Sequence, residues 1–195
     1  MPCRTCHAAL RAAGRLPPID GLDWCAALLS YRGVGRELVA RAKYRNQRAA
    51  LAWLGRGMAE LVGARAVDVV TWAPANRGHV RRRGFDHGAL LAKVVGTCLG
   101  VPLERLLVRG DEAPLTGRTA EERRTGLTLS ATRRYLGGQA ILVVDDVVTT
   151  GATMSAAGKH LRRRGANRVF GVAAAYTPAP SSRAEIVMNL PRPPR

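Results

Sequence analysis

One stretch constrains this chain more than any other: Ile141-Leu142-Val143-Val144-Asp145-Asp146-Val147-Val148-Thr149-Thr150-Gly151-Ala152-Thr153. Its opening run of apolar residues reads as a strand buried on both faces, the kind found inside a parallel sheet. Two carboxylates follow, then a hydroxyl-rich turn, then a helix predicted from Thr153 to Arg164 with its stop at Gly165. The turn offers backbone N–H groups, threonine hydroxyls and a helix N-terminus, a combination that favours a phosphate dianion, and Gly151 lets the backbone approach closely. Ionised Asp145 and Asp146 only accept hydrogen bonds; they repel phosphate but suit vicinal hydroxyls or a magnesium ion. A ribose 5-phosphate satisfies both halves. Side chains alternate along a strand, so both acids face one ligand only where the chain has begun to turn; otherwise one of them is a supporting residue. The competing reading is a plain strand followed by a Thr-capped helix. A P-loop is excluded because no Gly-Lys-Ser/Thr follows, and Gly33-Val34-Gly35 lacks the third glycine and the preceding strand of a dinucleotide fingerprint.

The rest of the chain supplies the scaffold for such a strand. From Gly35 to Val62 apolar residues recur with helical spacing, interrupted near Tyr44 to Gln47, which predicts two amphipathic helices. Val67 to Trp72 reads as a buried strand ending in Ala73-Pro74, and Gly84 to Leu99 as a helix. Arg109 to Arg124 is polar, with Gly110, Pro114 and Gly117, and reads as a mobile excursion. Gln139 to Val148 and Arg168 to Tyr176 complete the strands. Strands alternating with helices predict an α/β fold, a twisted parallel sheet flanked by helices, with ligands beyond the strand C-termini. The organisation expected is an N-terminal segment over 1–30, a main domain over 31–180 and a partly disordered Pro/Arg-rich tail over 181–195.

Charge narrows the partners. The formal net charge is +17, and only Lys43, Lys93 and Lys159 among the 31 Lys+Arg residues are lysines. Such an excess raises the local concentration of polyanions, nucleic acid or phosphorylated metabolites alike, and a GC-rich genome produces the same arginine bias without selection for binding. Aromatics are only 5%, fewer than base-stacking nucleic-acid binders are expected to interleave. No apolar run reaches the roughly 20 residues that span a bilayer, so no membrane insertion is expected. The start, Met1-Pro2-Cys3-Arg4-Thr5-Cys6, lacks the apolar core of a signal peptide, which predicts a cytoplasmic protein without disulfides. The sequence carries no signal for an oligomeric state.

The strand-turn-helix segment resembles the phosphoribosyl pyrophosphate (PRPP) motif of type I phosphoribosyltransferases, and the surrounding chain resembles the ComF family of competence-associated proteins. The likeness runs from Tyr31 to Thr177 through Tyr31-Arg32-Gly33, Glu37-Leu38-Val39, Lys43-Tyr44-Arg45, Ala73-Pro74 and Arg81-Arg82-Arg83-Gly84-Phe85. It implies a type I phosphoribosyltransferase-like fold with a small N-terminal helical hood from residues before about Val67. It also implies PRPP binding with magnesium and transfer of phosphoribose to an acceptor. Asp145 and Asp146 would hold the ribose hydroxyls as the catalytic pair and metal ligands. Thr149 to Thr153 would hold the 5-phosphate, with Val148 among the PRPP-binding residues and Ala75-Asn76-Arg77 and Arg83 on the pyrophosphate. The arginines near that loop also suit a departing polyphosphate on charge alone. An alternative drawn from the same resemblance is a DNA-uptake protein that binds single-stranded DNA, with PRPP as a regulatory ligand.

Three departures from the family pattern bear on this. Where the family carries Arg-Gly-Phe-Asn-Gln, this chain has Arg83-Gly84-Phe85-Asp86-His87, exchanging an amide pair for an acid and an imidazole, so hydrogen bonding there must differ. The family's glutamine and asparagine have no counterpart around Thr116 to Gly126, although Glu122-Arg123-Arg124 fits. Where oxopurine salvage enzymes carry an acid against the base, this chain has Thr149, which argues against hypoxanthine or guanine as acceptor. ComF-like chains often open with two Cys-x-x-Cys pairs. Here Cys3 and Cys6 form a single pair, two ligands short of a closed zinc site, and His7 is awkwardly placed beside Cys6, so zinc is not expected. Cys25 and Cys98 read as small core residues, and His79, His87 and His160 as surface groups or phosphate neighbours.

Overall fold

The computed structural model describes residues 2–44, 48–75, 85–109 and 129–177. The elements, in chain order, are α1 (Arg4–Ala8), β1 (Ala12–Arg15), β2 (Trp24–Ser30), α2 (Gly33–Tyr44), α3 (Arg48–Val62), β3 (Val69–Trp72), α4 (His87–Leu99), β4 (Leu107–Arg109), β5 (Leu129–Ala131), β6 (Ala140–Val148), α5 (Ala152–Arg163) and β7 (Arg168–Tyr176). The main sheet has the order β1-β2-β7-β6-β3. β2, β7, β6 and β3 run parallel, and β1 closes one edge antiparallel to β2. The expected parallel sheet flanked by helices is therefore present, with β6 and β7 at its centre.

Alternation along the strands sorts the core into two layers. Leu142 and Val144 of β6 and Phe170 and Val172 of β7 face α2, α3 and α4, packing with Leu38, Val39, Leu54, Met58 and Leu91. Ile141 and Val143, with Val169 and Ala173, face α5 and the small β4–β5 ribbon, packing with Met154, Leu161, Leu107 and Leu129. Both faces of β6 and β7 are thus dry, which is why these strands read as unbroken apolar runs. α3 and α4 approach so closely that a Cβ on Gly55 would lie 2.5 Å from Val94 Cγ1.

Two parts of the sequence reading change. Residues 12–30, expected as an N-terminal segment, supply two strands of the main sheet, and β2 pairs with β7 from Trp24↔Phe170 to Ser30↔Tyr176. β2 contains no β-branched residue (Trp, Cys, Ala, Ala, Leu, Leu, Ser), so local propensity gives no strand signal and burial against β7 decides its conformation. Arg109, placed at the head of a mobile excursion, instead ends β4 and pairs with Leu129 of β5. The remainder of that excursion, 110–128, lies outside the described residues. Among the described residues no helix is long and apolar enough to cross a membrane.

Candidate functional site at the end of the central strand

β6 carries its apolar run into Asp145 and Asp146 and ends at Val148, whose carbonyl accepts from the Thr177 amide at 2.9 Å. The chain then turns through exposed Thr149 and Thr150 and enters α5 at Gly151, which caps the helix in the left-handed region at φ 80°. A Cβ at that glycine would sit 3.1 Å from Ile19 Cδ1, so both the backbone angle and the close packing call for glycine. Gly151 has no side chain to cap the helix, and Thr150 Oγ1 accepts from the Ala152 amide at 3.4 Å. The turn thus sets backbone amides and threonine hydroxyls at the positive end of the helix dipole. Asp145 and residues 147–154 line an open hollow. The expected juxtaposition of acid and hydroxylated helix entrance is thus realised, with Val148 buried at its floor and Ala152 and Thr153 half-buried on its wall.

The two acids have different surroundings, as strand alternation predicts. Asp146 pairs with Lys43 of α2, Nζ to Oδ2 at 3.0 Å. Asp145 lines the hollow, and its Oδ1 accepts from the Asp146 amide at 2.7 Å. Burial, followed by the neighbouring charge of Asp146, pushes the Asp145 carboxyl up to about 8; the Asp146 amide, Lys43 and Arg109 pull the other way. The same carboxylate acts on its other neighbour: burial and then the Asp145 charge push the Cys25 thiol up to about 12. An acid in this position gains from a hydroxyl or a cation that satisfies its ionised form.

Sequence reading did not assign roles to three residues that complete this corner. Lys43 occupies Asp146. Arg109 acts on Asp145 from the end of β4 and donates from Nη1 to the Pro74 carbonyl at 3.3 Å. Asp86 is the third. Its Oδ1 accepts from the Gly88 and Ala89 amides at 2.9 and 3.4 Å, capping α4. Its Oδ2 accepts from Trp72 Nε1 at 3.1 Å and from the Ala75 amide at 3.3 Å. One carboxylate therefore fixes the end of β3, the start of the following loop and the entrance of α4 together. The spacing Asp-His-Gly-Ala before an apolar helix is an N-cap signature, and would have identified the cap but not the reach back to Trp72.

His87 is a correction. Expected at the surface or beside phosphate, it is buried, with Nε2 2.8 Å from the Ala42 carbonyl and its ring 4.6 Å from that of Phe85. It lies on the core-facing side of α4, and the hydrogen bond to α2 satisfies an imidazole that burial would otherwise penalise. Cys98 is also corrected: it is exposed, whereas Cys25 is buried in β2 as expected. Ala75 is the described member of the expected pyrophosphate loop, and Asn76, Arg77 and Arg83 lie outside the described residues. Cys3 caps the short α1, its Sγ accepting from the Cys6 amide at 3.5 Å, which holds its thiol below the usual range. Among the described residues no group of three or more His, Cys, Asp or Glu is placed to hold a metal.

A parallel sheet with an acid pair and a hydroxyl-bearing helix entrance at the end of an inner strand defines a class. The chain belongs to the phosphoribosyl transferase domain family, whose pattern matches residues 81–188. More particularly it is ComF-like: it is 28% identical over 157 residues to competence protein F of Haemophilus influenzae, covering 71% of this chain and 67% of that protein. Among solved structures, an allosteric regulatory enzyme of purine biosynthesis aligns with TM-score 0.51 and 23% identity over 70% of this chain. Glutamine PRPP amidotransferase from B. subtilis, complexed with ADP and GMP, aligns with the same values. This chain spans 30% of each of those two chains, so the likeness is one of fold.

Proposed function

We propose that the site binds PRPP and transfers its phosphoribose to an acceptor. The observation that carries this reading is the hollow itself, where Asp145 lies beside the hydroxyl-bearing turn and the first turn of α5. In this reading the amides and hydroxyls of 149–153 take the 5-phosphate, and Asp145 and Asp146 take the ribose hydroxyls. The bond from C1 to pyrophosphate breaks as a bond from the acceptor's nucleophile to C1 forms, and the acceptor's proton passes to solvent. Positioning and charge carry the catalysis, without a covalent enzyme intermediate. The loop from Ala75 through Asn76 and Arg77, with Arg83, receives the pyrophosphate, and Asp86 holds the near end of that loop through the Ala75 amide. Asp145, which lines the hollow, and Asp146 are the carboxylates that would hold magnesium, which would neutralise charge on the pyrophosphate.

Calorimetry with PRPP, with and without magnesium, tests the reading. Asp146→Asn and Thr150→Val are each expected to weaken binding about tenfold or more, the loss of one charge-assisted hydrogen bond or one phosphate contact; Thr150→Val leaves the melting temperature near that of the wild type, and Asp146→Asn, which removes the partner of Lys43, lowers it without unfolding the chain. Unchanged affinity in both variants contradicts it. Pyrophosphate release in the presence of nucleobases and nucleic acids then identifies the acceptor.

The +17 charge and the likeness to a protein named for competence favour a second reading, a module that binds single-stranded DNA and responds to PRPP. Titration of labelled single strands at several salt concentrations separates the two. A dedicated site predicts log affinity falling with log salt at a slope of about −0.7 for each phosphate neutralised. Affinity at physiological salt no better than that of a generic basic protein removes the second reading.

A further inference from the structure

We propose that Lys43 is the resident counter-ion of the acid pair and competes with a divalent cation for Asp146, so that this lysine sets how strongly ligand binding depends on metal. The proposal rests on the reading of the two acids as the hydroxyl-binding end of a phosphoribose site.

The ammonium is built into place. Nζ lies 3.0 Å from Asp146 Oδ2, and the two side chains are only 16% and 25% exposed, so solvent and salt screen the pair less than they would at an open surface. Lys43 stands in the last turn of α2, and the carbonyl of the preceding residue, buried Ala42, is tied to His87 Nε2 at 2.8 Å. Two helices thus fix the stem from which the ammonium reaches the end of β6. A lysine presents a compact point charge to one oxygen, so it neutralises Asp146 while leaving Asp145 to the hollow.

The consequences for a cation are electrostatic. The fixed ammonium offsets the negative charge of Asp146 and so lowers the negative charge of the corner by one. A divalent ion approaching Asp146 meets a positive charge already seated on it, and must displace or share with it. A ribose hydroxyl meets an acid pair that is partly neutralised without metal. Lys43 therefore lowers the affinity of the empty site for a divalent cation and supports ligand binding in its absence.

The test uses the full-length protein and manganese as a paramagnetic probe for magnesium, at constant low ionic strength. Removing an opposite charge within a few ångströms of a carboxylate changes its affinity for a cation by factors of ten or more, so Lys43→Met should tighten manganese binding about tenfold. Lys43→Arg should stay close to wild type, and adding Asp146→Asn to Lys43→Met should abolish the gain. In parallel, the ratio of ribose 5-phosphate affinities with and without magnesium should rise about tenfold in Lys43→Met. Circular dichroism establishes that the variant is folded, with Lys43→Gln as the substitute if it is not. Equal manganese affinity in wild type and Lys43→Met, or a gain that survives Asp146→Asn, overturns the proposal. If wild-type protein binds no ribose 5-phosphate under either condition, the phosphoribose reading fails, and the manganese comparison still decides the role of Lys43.

Discussion

Asp145 is the residue whose environment suits it least. Its carboxyl is pushed from 3.8 up to about 8, chiefly by burial and then by Asp146. An acid whose pKa is higher in the folded chain favours folding while it is protonated. That contribution is complete below the ordinary carboxylate range and is lost as pH rises through about 8. Asp145→Asn removes the penalty, so the ligand-free variant should match the wild type near pH 4 and gain on it steadily up to about pH 8. A gain of about 1 kcal/mol appears as roughly 2–4 °C in melting temperature for a chain of this size. Thermal melts across that range check the sign; a variant less stable than wild type at pH 8 contradicts the assignment. In the proposed reading the ligand supplies the partner that this buried acid lacks. The identity of this acid was legible from its place after an apolar strand. Its difference from Asp146 was legible only as the alternation of side chains, since which acid meets Lys43 depends on how α2 crosses the sheet.

At the level of elements, the site corner is held by joints between the ends of strands and helices. Asp86 accepts from four donors on β3, the following loop and α4. Asp86→Ala should therefore lower stability by about 2–3 kcal/mol, roughly 1 for the helix cap and the rest for donors left unpaired. Urea denaturation measures it, and a loss under about 0.5 kcal/mol would mean that the carboxylate is not the joint. Sequence patterns disclosed α2, α3, β3, α4, β6, α5 and β7 because each has a clean apolar period or a β-branched run. β2 was hidden for the opposite reason. An alanine- and leucine-rich strand with no β-branched residue carries little local sign of its conformation, and its place beside β7 makes it one. His87 and Cys98 were misplaced for a related reason. A helix's buried stripe depends on its neighbours, and α3, pressed against α4 at Gly55, selects which side is covered.

For the whole molecule, architecture and charge play separate parts. The sheet order and the helix layers bring one strand end, one helix entrance and the end of α2 to the same corner. The net charge of +17 acts at longer range, drawing phosphorylated ligands of any size toward the chain without choosing among them. Selection falls to the corner, where an anion-seeking turn and an anion-repelling acid stand side by side. The proposed ligand, with a negative group at one end and hydroxyls at the other, would satisfy both.

A crystal structure of the chain with ribose 5-phosphate tests that statement most directly. The phosphate is predicted on the amides of 149–153, with the 2- and 3-hydroxyls directed at Asp145 and Asp146. A phosphate bound instead among surface arginines, with the turn before α5 vacant and the acids out of reach of the sugar, would contradict it.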